Sequence, residues 1–350
     1  MRVLVVGDSY MPASIFTAAF AELNGAVTLT ELQVDAGQAG GSPAASAAGL
    51  REYEGDPAAV AAAVTGHDVL VVHGAPVTAE VLDAAPLRLV CCARGGPVNV
   101  DVAAATARGI PVACAPGRNA RAVAELTVAF ALALIRGVPA ASRRLLAGMP
   151  LGGSNFEGGE FIGAEAASTT LGLVGLGHVG REVAVLGQAL GFGVLGYDPV
   201  LPAGVPAGVR VVPLEDLLGQ ADIVSLHARA TAGNRHLIGA AALARMHRGS
   251  FLINTARDSL VDEDALRQAL ISGHLAGAAL DVAARPPDGA SHPLLELPNV
   301  LIAPHIGGAT HETLRRGAEL TAAAVARIAA GLAPDHLVNP QVLAGQAGAS

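Results

Sequence analysis

The segment Thr169–Asp198, TTLGLVGLGHVGREVAVLGQALGFGVLGYD, constrains the fold of this chain more than any other. The short apolar run Leu171, Leu173 and Val174 is bounded by glycines as a strand would be. From Val179 to Leu190 the apolar residues Val183, Leu186 and Leu190 return at helical spacing. Between the two lies Gly175-x-Gly177-x-x-Gly180. In a turn between strand and helix, the first glycine permits the tight bend and the second lets the backbone approach a pyrophosphate. The third lets the helix pack closely on the strand. The helix N-terminus then directs its unpaired N–H groups at the phosphates. Asp198 closes the second strand, where a carboxylate can accept hydrogen bonds from both ribose hydroxyls, which favours NAD over NADP.

Glycine is abundant, 43 of 350 residues, so the spacing alone is weak. It recurs at Gly191-x-Gly193-x-x-Gly196. That second match follows a helix and leads into a strand, so it presents no helix N-terminus to a phosphate. Context therefore assigns the dinucleotide site to the first match.

A chain of this length holds two domains with full cores. Hydrophobic residues make up 52%, but alanine and glycine carry much of the excess. The most apolar helical stretch, Val123 to Ile135, contains Glu125 and is shorter than the roughly 20 residues of a membrane span. It reads as a buried helix, and no membrane partner is expected. The opening MRVLVVGDSY reads as a first strand, not a signal peptide. A net charge of −8 without a lysine or arginine run leaves no electrostatic footprint for nucleic acid. Cys91, Cys92 and Cys114 form neither a disulfide framework nor a zinc spacing, so the expected setting is a reducing cytoplasm and no metal site is expected.

Residues 1 to about 118 alternate strands with helices, as parallel sheets with crossover helices require. The strand expectations are Arg2–Val6, Val69–Val72, Leu87–Cys91 and Ile110–Ala113. Gly37–Gly49 reads as a surface loop. In Leu89–Asp101, LVCCARGGPVNVD, a strand runs into Gly95-Gly96-Pro97 and then into a helix that Asn99 or Asp101 would cap. This loop can offer backbone N–H groups to an anion, and Arg94 beside it is either a ligand contact or a solvated charge. The apolar helix and the loop Gly148–Ser168 form the expected hinge.

The alternation then repeats, with strands at Val209–Val211, Ile223–Leu226, Phe251–Asn254, Gly277–Val282 and Val300–Ile302. A six- or seven-stranded doubly wound sheet follows, with its ligand beyond the carboxyl ends of the strands. Asp198, His227, Asn254, Arg257, Asp281 and His305 all stand at such ends. Thr310–Ala330 reads as a long helix, after which the last residues return to the first domain.

Ordered motifs over nearly the whole chain resemble the D-isomer-specific 2-hydroxyacid dehydrogenases, particularly the phosphoglycerate dehydrogenase-like branch. They are GIPV at 109–112, PGRN at 116–119, VAELT at 123–127, the glycine turn, YDP at 197–199, ADIVSLH at 221–227, INTAR at 253–257, VDEDAL at 261–266, GAALDV at 277–282 and PNVLIAPHIGGAT at 298–310. The resemblance implies an α/β protein of two doubly wound parallel-sheet domains. One is a discontinuous flavodoxin-like substrate domain, 1–118 plus 311–350. The other is a Rossmann NAD-binding domain, 119–310, including a dimerisation helix and arm of a homodimer. It implies cofactor contacts from Gly175, Gly177, His178, Val179, Gly180, Asp198, His227, Thr255, Ala256, Asp281 and Gly307. Substrate contacts are implied for Arg94, Gly95, Gly96 and Arg257.

The family's catalytic arginine and histidine fall on Arg257 and His305. A guanidinium grips a carboxylate in two-pronged fashion and polarises the 2-oxo group. An imidazole takes the 2-hydroxyl proton and returns it in the reverse direction. The third family member, a glutamate before the proline after GAALDV, is missing, because that slot holds Arg285 or Pro286. An imidazole without this anion is expected to be the weaker acid catalyst, with reduction of the 2-oxo acid impaired more than oxidation near neutral pH, unless Asp288 or another loop carboxylate supplies the charge. Asp258 and Arg229 are further departures. The arginines at 94, 118, 229 and 285 either meet a phosphorylated or polyhydroxylated acid or face solvent. The expected function is NAD-dependent oxidation of a small 2-hydroxy acid or sugar acid; the alternative is an NAD(H)-binding sensor or interaction protein.

Overall fold

The computed structural model describes residues 1–23, 25–35, 45, 49–148, 159, 161–284 and 290–346. The chain divides into two compact units, Met1–Arg118 with Thr310–Ser350, and Asn119–Ala309. Most of Gly37–Gly49 and much of Gly148–Ser168 lie outside the described residues.

The first unit is built on β1 (Arg2–Gly7), β2 (Thr28–Gln33), β3 (Val69–Val72), β4 (Leu89–Cys92) and β5 (Val112–Cys114). All pair in parallel, in the order β2-β1-β3-β4-β5, which is the flavodoxin-like order. Successive side chains on a strand face opposite sides, and here both sides are covered. Leu4, Val6, Leu70 and Val72 enter one buried cluster, while Val3, Val5, Val69 and Val71 enter another with Phe16 and Phe20. The second cluster is closed by Ala318, Ala322 and Val325 of the helix His311–Ala329, which Thr310 caps through its hydroxyl. The following chain is pinned by buried Asn339, whose amide accepts from Val112 N at 2.8 Å and donates to the Ile110 carbonyl at 2.9 Å. Asp101 caps the helix Val102–Ala107. Asn99 instead donates to the carbonyls of His73 and Ala75.

The second unit carries β6 (Thr170–Val174), β7 (Gly193–Tyr197), β8 (Arg210–Val211), β9 (Ile223–Leu226), β10 (Phe251–Asn254), β11 (Gly277–Leu280) and β12 (Val300–Ile302). They form one sheet in the order β12-β11-β10-β9-β6-β7-β8, the Rossmann order extended by a strand. Leu171, Leu173, Ile223 and Ile253 face one cluster, which the helix Ala120–Ile135 completes with Phe130, Ala131 and Leu134. Val174, Val224, Leu226 and Leu252 face the other. The apolar character of Ala120–Ile135 is thus spent largely on its own core. No single helix among the described residues is long and apolar enough to cross a membrane; Ala120–Ile135 and Val138–Leu146 pass that test only as a pair bent by 67°.

Candidate functional site

In each sheet the strand order reverses beside the first strand, and the crevice at that reversal is where open α/β sheets bind ligands. In the second unit it lies between β6 and β9. Gly175 leaves β6 with φ +103°, and a Cβ there would meet the backbone of His227 at 2.7 Å. A Cβ on Gly180 would stand 2.0 Å from the Gly175 carbonyl oxygen, whereas one on Gly177 would meet nothing within 4 Å. The first and third positions are closed by protein and the second opens outward. Gly177 precedes the helix His178–Ala189, and no side chain caps that end, so its leading N–H groups are available to an anion. These features fit a dinucleotide pyrophosphate. The second glycine match has no such helix: Gly191 ends a turn, and Gly193 and Gly196 lie in β7.

Asp198 at the end of β7 accepts from Leu176 N at 2.8 Å and from Val200 N at 3.0 Å, tying the acid to the glycine turn. His227 directly follows β9, and its Nε2 meets the Ser225 hydroxyl at 2.9 Å. Its Nδ1 is buried with no partner among the described residues. Burial pushes this imidazole down to about 3, so it is neutral around pH 7.

Arg257, Asp281 and His305 follow the three adjacent strands β10, β11 and β12. Buried Asn254 closes the first loop: its Oδ1 accepts from Ala256 N at 3.0 Å and its Nδ2 donates to the Arg257 carbonyl at 2.8 Å. Arg257 itself is exposed and donates from Nη1 to the Ala256 carbonyl. The Thr255 hydroxyl meets that of Thr127 at 3.0 Å. Asp281, 2% exposed, accepts from Ile306 N at 2.8 Å and Gly307 N at 2.7 Å. The carboxylate therefore clamps the two peptide N–H groups that follow His305. His305 is exposed with φ +58°, an uncommon left-handed conformation for a residue with a side chain. Arg285, Pro286, Pro287 and Asp288, the positions of the family glutamate and its substitute, lie outside the described residues.

The reversal of the first unit lies between β1 and β3 and is filled by side chains. Asp8 follows β1, and His73 follows β3. Asp8 Oδ2 accepts from His73 Nδ1 at 2.8 Å and Gly74 N at 2.6 Å, and its Oδ1 accepts from Tyr10 N at 3.0 Å and Met11 N at 2.8 Å. His73 Nε2 lies 3.0 Å from Arg118 Nη2. A guanidinium only donates, so Nε2 accepts, Nδ1 carries the proton, and the ring is neutral. The electrostatics agree. Burial lowers His73 against the opposing pull of Asp8. Burial alone would raise Asp8, but the His73 bond and the peptide N–H groups hold it below the ordinary carboxylate range. Tyr10 stacks on the His73 ring with centroids 5.2 Å apart.

The four arginines left open by the sequence separate. Arg94 engages the Glu52 carboxylate and donates to the Glu52 carbonyl at 2.7 Å. Arg229 is exposed and Arg285 is outside the described residues. Arg118 is only 8% exposed. Gly95 and Gly96 are exposed, and a Cβ on Gly96 would meet nothing within 4 Å. Burial raises the thiols of Cys91 and Cys92, the latter to about 12, so neither is a nucleophile. Among the described residues no cluster of His, Cys, Asp or Glu could hold a metal ion. The strand-end rule that singles out His227 and His305 applies equally to Asp8 and His73, and that was the signal available for them.

Comparison with known proteins defines the class. The NAD binding domain of the D-isomer specific 2-hydroxyacid dehydrogenases matches residues 128–307. The chain is 39% identical over 277 residues to glyoxylate reductase of Korarchaeum cryptofilum, covering 77% of this chain and 81% of that protein. It is 41% identical over 279 residues to D-3-phosphoglycerate dehydrogenase of Mycobacterium bovis, covering 78% of this chain but 52% of that protein, about half its length. A crystal structure of a Thermus thermophilus protein superposes with a TM-score of 0.77 at 32% identity, covering 97% of this chain and 100% of that one. The chain belongs to the D-isomer-specific 2-hydroxyacid dehydrogenases, a family of NAD-dependent oxidoreductases. Within the family its relatives lie in the phosphoglycerate dehydrogenase-like branch, and both curated relatives named above are enzymes, so nothing favours a binding-only alternative.

Proposed function

We propose that the protein interconverts a small 2-hydroxy acid or sugar acid and its 2-oxo counterpart, with Arg257 as carboxylate anchor and His305 as acid and base. Gly175, Gly177, His178, Val179 and Gly180 would hold the cofactor pyrophosphate and Asp198 its ribose. His227, Thr255, Ala256, Asp281 and Gly307 complete that face. NAD, when bound, supplies the hydride acceptor. The Arg257 guanidinium fixes the substrate carboxylate and polarises the neighbouring oxygen. The His305 imidazole removes the hydroxyl proton during oxidation and returns it during reduction. Gly95 and Gly96 offer backbone N–H groups to the substrate, with Arg94 as the adjoining charge. The names of the relatives point to glyoxylate-type and phosphoglycerate-type acids as the first substrates to try.

The observation that carries this reading is the pair of fixed loops on either side of β11. Asn254 sets the Arg257 loop and Asp281 sets the peptide after His305, so both groups are held on rigid supports. A cytoplasmic homodimer is the accompanying inference. The dimer is supported by an apolar cavity of about 470 Å³ lined by Leu134, Ile135, Pro139, Phe161 and Phe251, and by Leu146 and Ile162, which are 84% and 87% exposed.

The test is NADH formation and consumption over a panel containing D-glycerate, D-lactate, 3-phospho-D-glycerate and glyoxylate. Turnover of at least one pair is expected. His305→Asn should lower kcat by roughly 10²- to 10⁴-fold, the usual worth of a positioned acid–base group, while NADH binding persists. No turnover on any acid by a protein that still binds NADH would overturn the proposal.

A further inference from the structure

The mechanism above leaves Asp8, His73 and Arg118 unused, although they fill the ligand-binding crevice of the first unit. Arg118 is more than nine-tenths buried, and among the described residues no carboxylate pairs with it. Asp8, the nearest acid in the chain of contacts, already accepts four hydrogen bonds from other donors. One amino group of Arg118, Nη2, is spent on His73. The other, Nη1, is buried and has no hydrogen-bond partner among the described residues. The backbone around it is fixed, because Arg316 Nε donates to the Arg118 carbonyl at 2.8 Å. A Cβ on Gly317 would come within 3.1 Å of Arg118 Cδ and 3.5 Å of Nη1.

A buried, unpaired guanidinium is costly, and the surroundings here do little to relieve it. His73 is held neutral and offers only a lone pair. Burial is the largest influence on Arg118 and leaves it lowered; Tyr10, Cys92 and Asp8 favour the charged guanidinium and Arg94 opposes it. A neutral imidazole locked by Asp8 aims the guanidinium without cancelling its charge. This is the arrangement expected where the counter-charge arrives with a ligand.

We infer that Arg118 is an oxyanion-binding residue of the first unit, positioned by the Asp8–His73 pair, and that it takes a carboxylate or phosphate group carried by the substrate. The anion site itself follows from the geometry; its assignment to substrate rests on the dehydrogenase reading. The site would favour 2-hydroxy acids bearing a second anionic group.

The experiment uses the full-length protein and two probes, inorganic phosphate and malonate, each titrated by calorimetry and by thermal shift. Wild type should bind at least one probe and gain thermal stability from it, and the probe that binds tighter tells a phosphate from a carboxylate preference. Arg118→Gln should lose that binding by about tenfold or more, the scale of a charge-assisted hydrogen bond, and should keep NADH affinity. Arg118→Lys should retain part of it. His73→Phe should weaken the probe several-fold and His73→Gln less, because glutamine can still accept from Nη2. A purely structural Arg118 would instead lower the Tm of the anion-free R118Q protein and leave the anion response intact. That result, or a wild type that binds neither probe, would overturn the inference, and should R118Q fail to fold, an unchanged anion affinity in R118K and H73F would do so. Turnover then separates the two readings. A KM for 3-phospho-D-glycerate that rises in R118Q while that for D-glycerate does not supports the substrate assignment. Loss of probe binding without any such split assigns the anion site to another ligand and overturns the substrate part alone.

Discussion

At the reversal of the first sheet the chain places side chains, and at the reversal of the second it places backbone. The two crevices are topologically equivalent, and each has a histidine directly after the neighbouring strand, His73 after β3 and His227 after β9. Both rings are lowered by burial. Their wiring differs. His73 has a partner on each ring nitrogen, Asp8 and Arg118, whereas His227 has Ser225 on one and none on the other among the described residues. Where backbone N–H groups and a helix end offer the anion site, the histidine beside them has no charged partner among the described residues. Where a buried arginine supplies it, a second layer of charge must hold the arginine in place.

The comparison is broken most severely at Asp8. Its two oxygens accept from two donors each, a pattern only the ionised carboxylate satisfies in full, and removing one partner of a buried charged network costs roughly 3–5 kcal/mol. Asp8→Asn should therefore destabilise the first unit by that order, read as a lower Tm with NADH affinity retained. The pH dependence has a defined sign. Asp8 is lowered below 3.8 in the folded state, so its contribution is complete above about pH 3.8 and fades as pH falls through the lower folded value. In D8N this acid-side loss should disappear. An unchanged Tm in D8N would show that the Asp8–His73 pair bears no load.

The corresponding break in the second unit is a pair of substitutions. Gly180→Ala would bring a methyl group within 2.0 Å of the Gly175 carbonyl oxygen, displacing the turn at an overpacking cost of about 1–3 kcal/mol and weakening NADH by roughly 100-fold, about 2.7 kcal/mol. Gly177→Ala meets only open space. It should leave the Tm of the free protein unchanged and still weaken NADH, because the added methyl occupies the ligand's side. Fluorescence titration and thermal unfolding of both variants check this. Equal NADH affinity in G177A and wild type would contradict the role given to the second glycine.

These contrasts also explain what the sequence could disclose. The second unit was legible because its site is a contiguous stretch: glycine spacing, strand, helix and acid all fall between Thr169 and Asp198, and local periodicity is the primary signal. The first unit hides its site, since Asp8 and His73 are 65 residues apart and Arg118 is identified as a site residue only by tertiary burial. Strand β2 escaped expectation for a related reason. Its sequence TLTELQ has no apolar run, and the strand is a largely exposed edge that pairs with β1 and packs only Leu29 and Leu32 against the cores. Other differences are small shifts at ends: Leu89–Cys92 was expected at Leu87–Cys91, and Val112–Cys114 at Ile110–Ala113. Arg257 and His305 were readable from motifs, but the clamp of Asp281 on Ile306 and Gly307 was not, because side-chain to backbone bonds across 25 and 26 residues leave no periodic trace.

The mildest expected effect sharpens the comparison between the two histidines. His227 is lowered from 6.5 to about 3 in the folded state, so the unfolded chain binds more protons than the native one between those values. Stability from this group is complete above about pH 6.5 and is lost as pH falls toward 3. By pH 5 the loss amounts to about 2 kcal/mol. His227→Asn should remove that portion of the acid destabilisation and raise the relative Tm at pH 5 over that at pH 8, with the second unit reporting the change. His73 shifts in the same direction and would keep its share in this variant, so the correction should be partial. Complete removal would mean that Asp8 spares His73 from the acid transition altogether. No correction would mean that His227 takes up its proton without unfolding the crevice, and that the neutrality assigned to it here is not required by the fold.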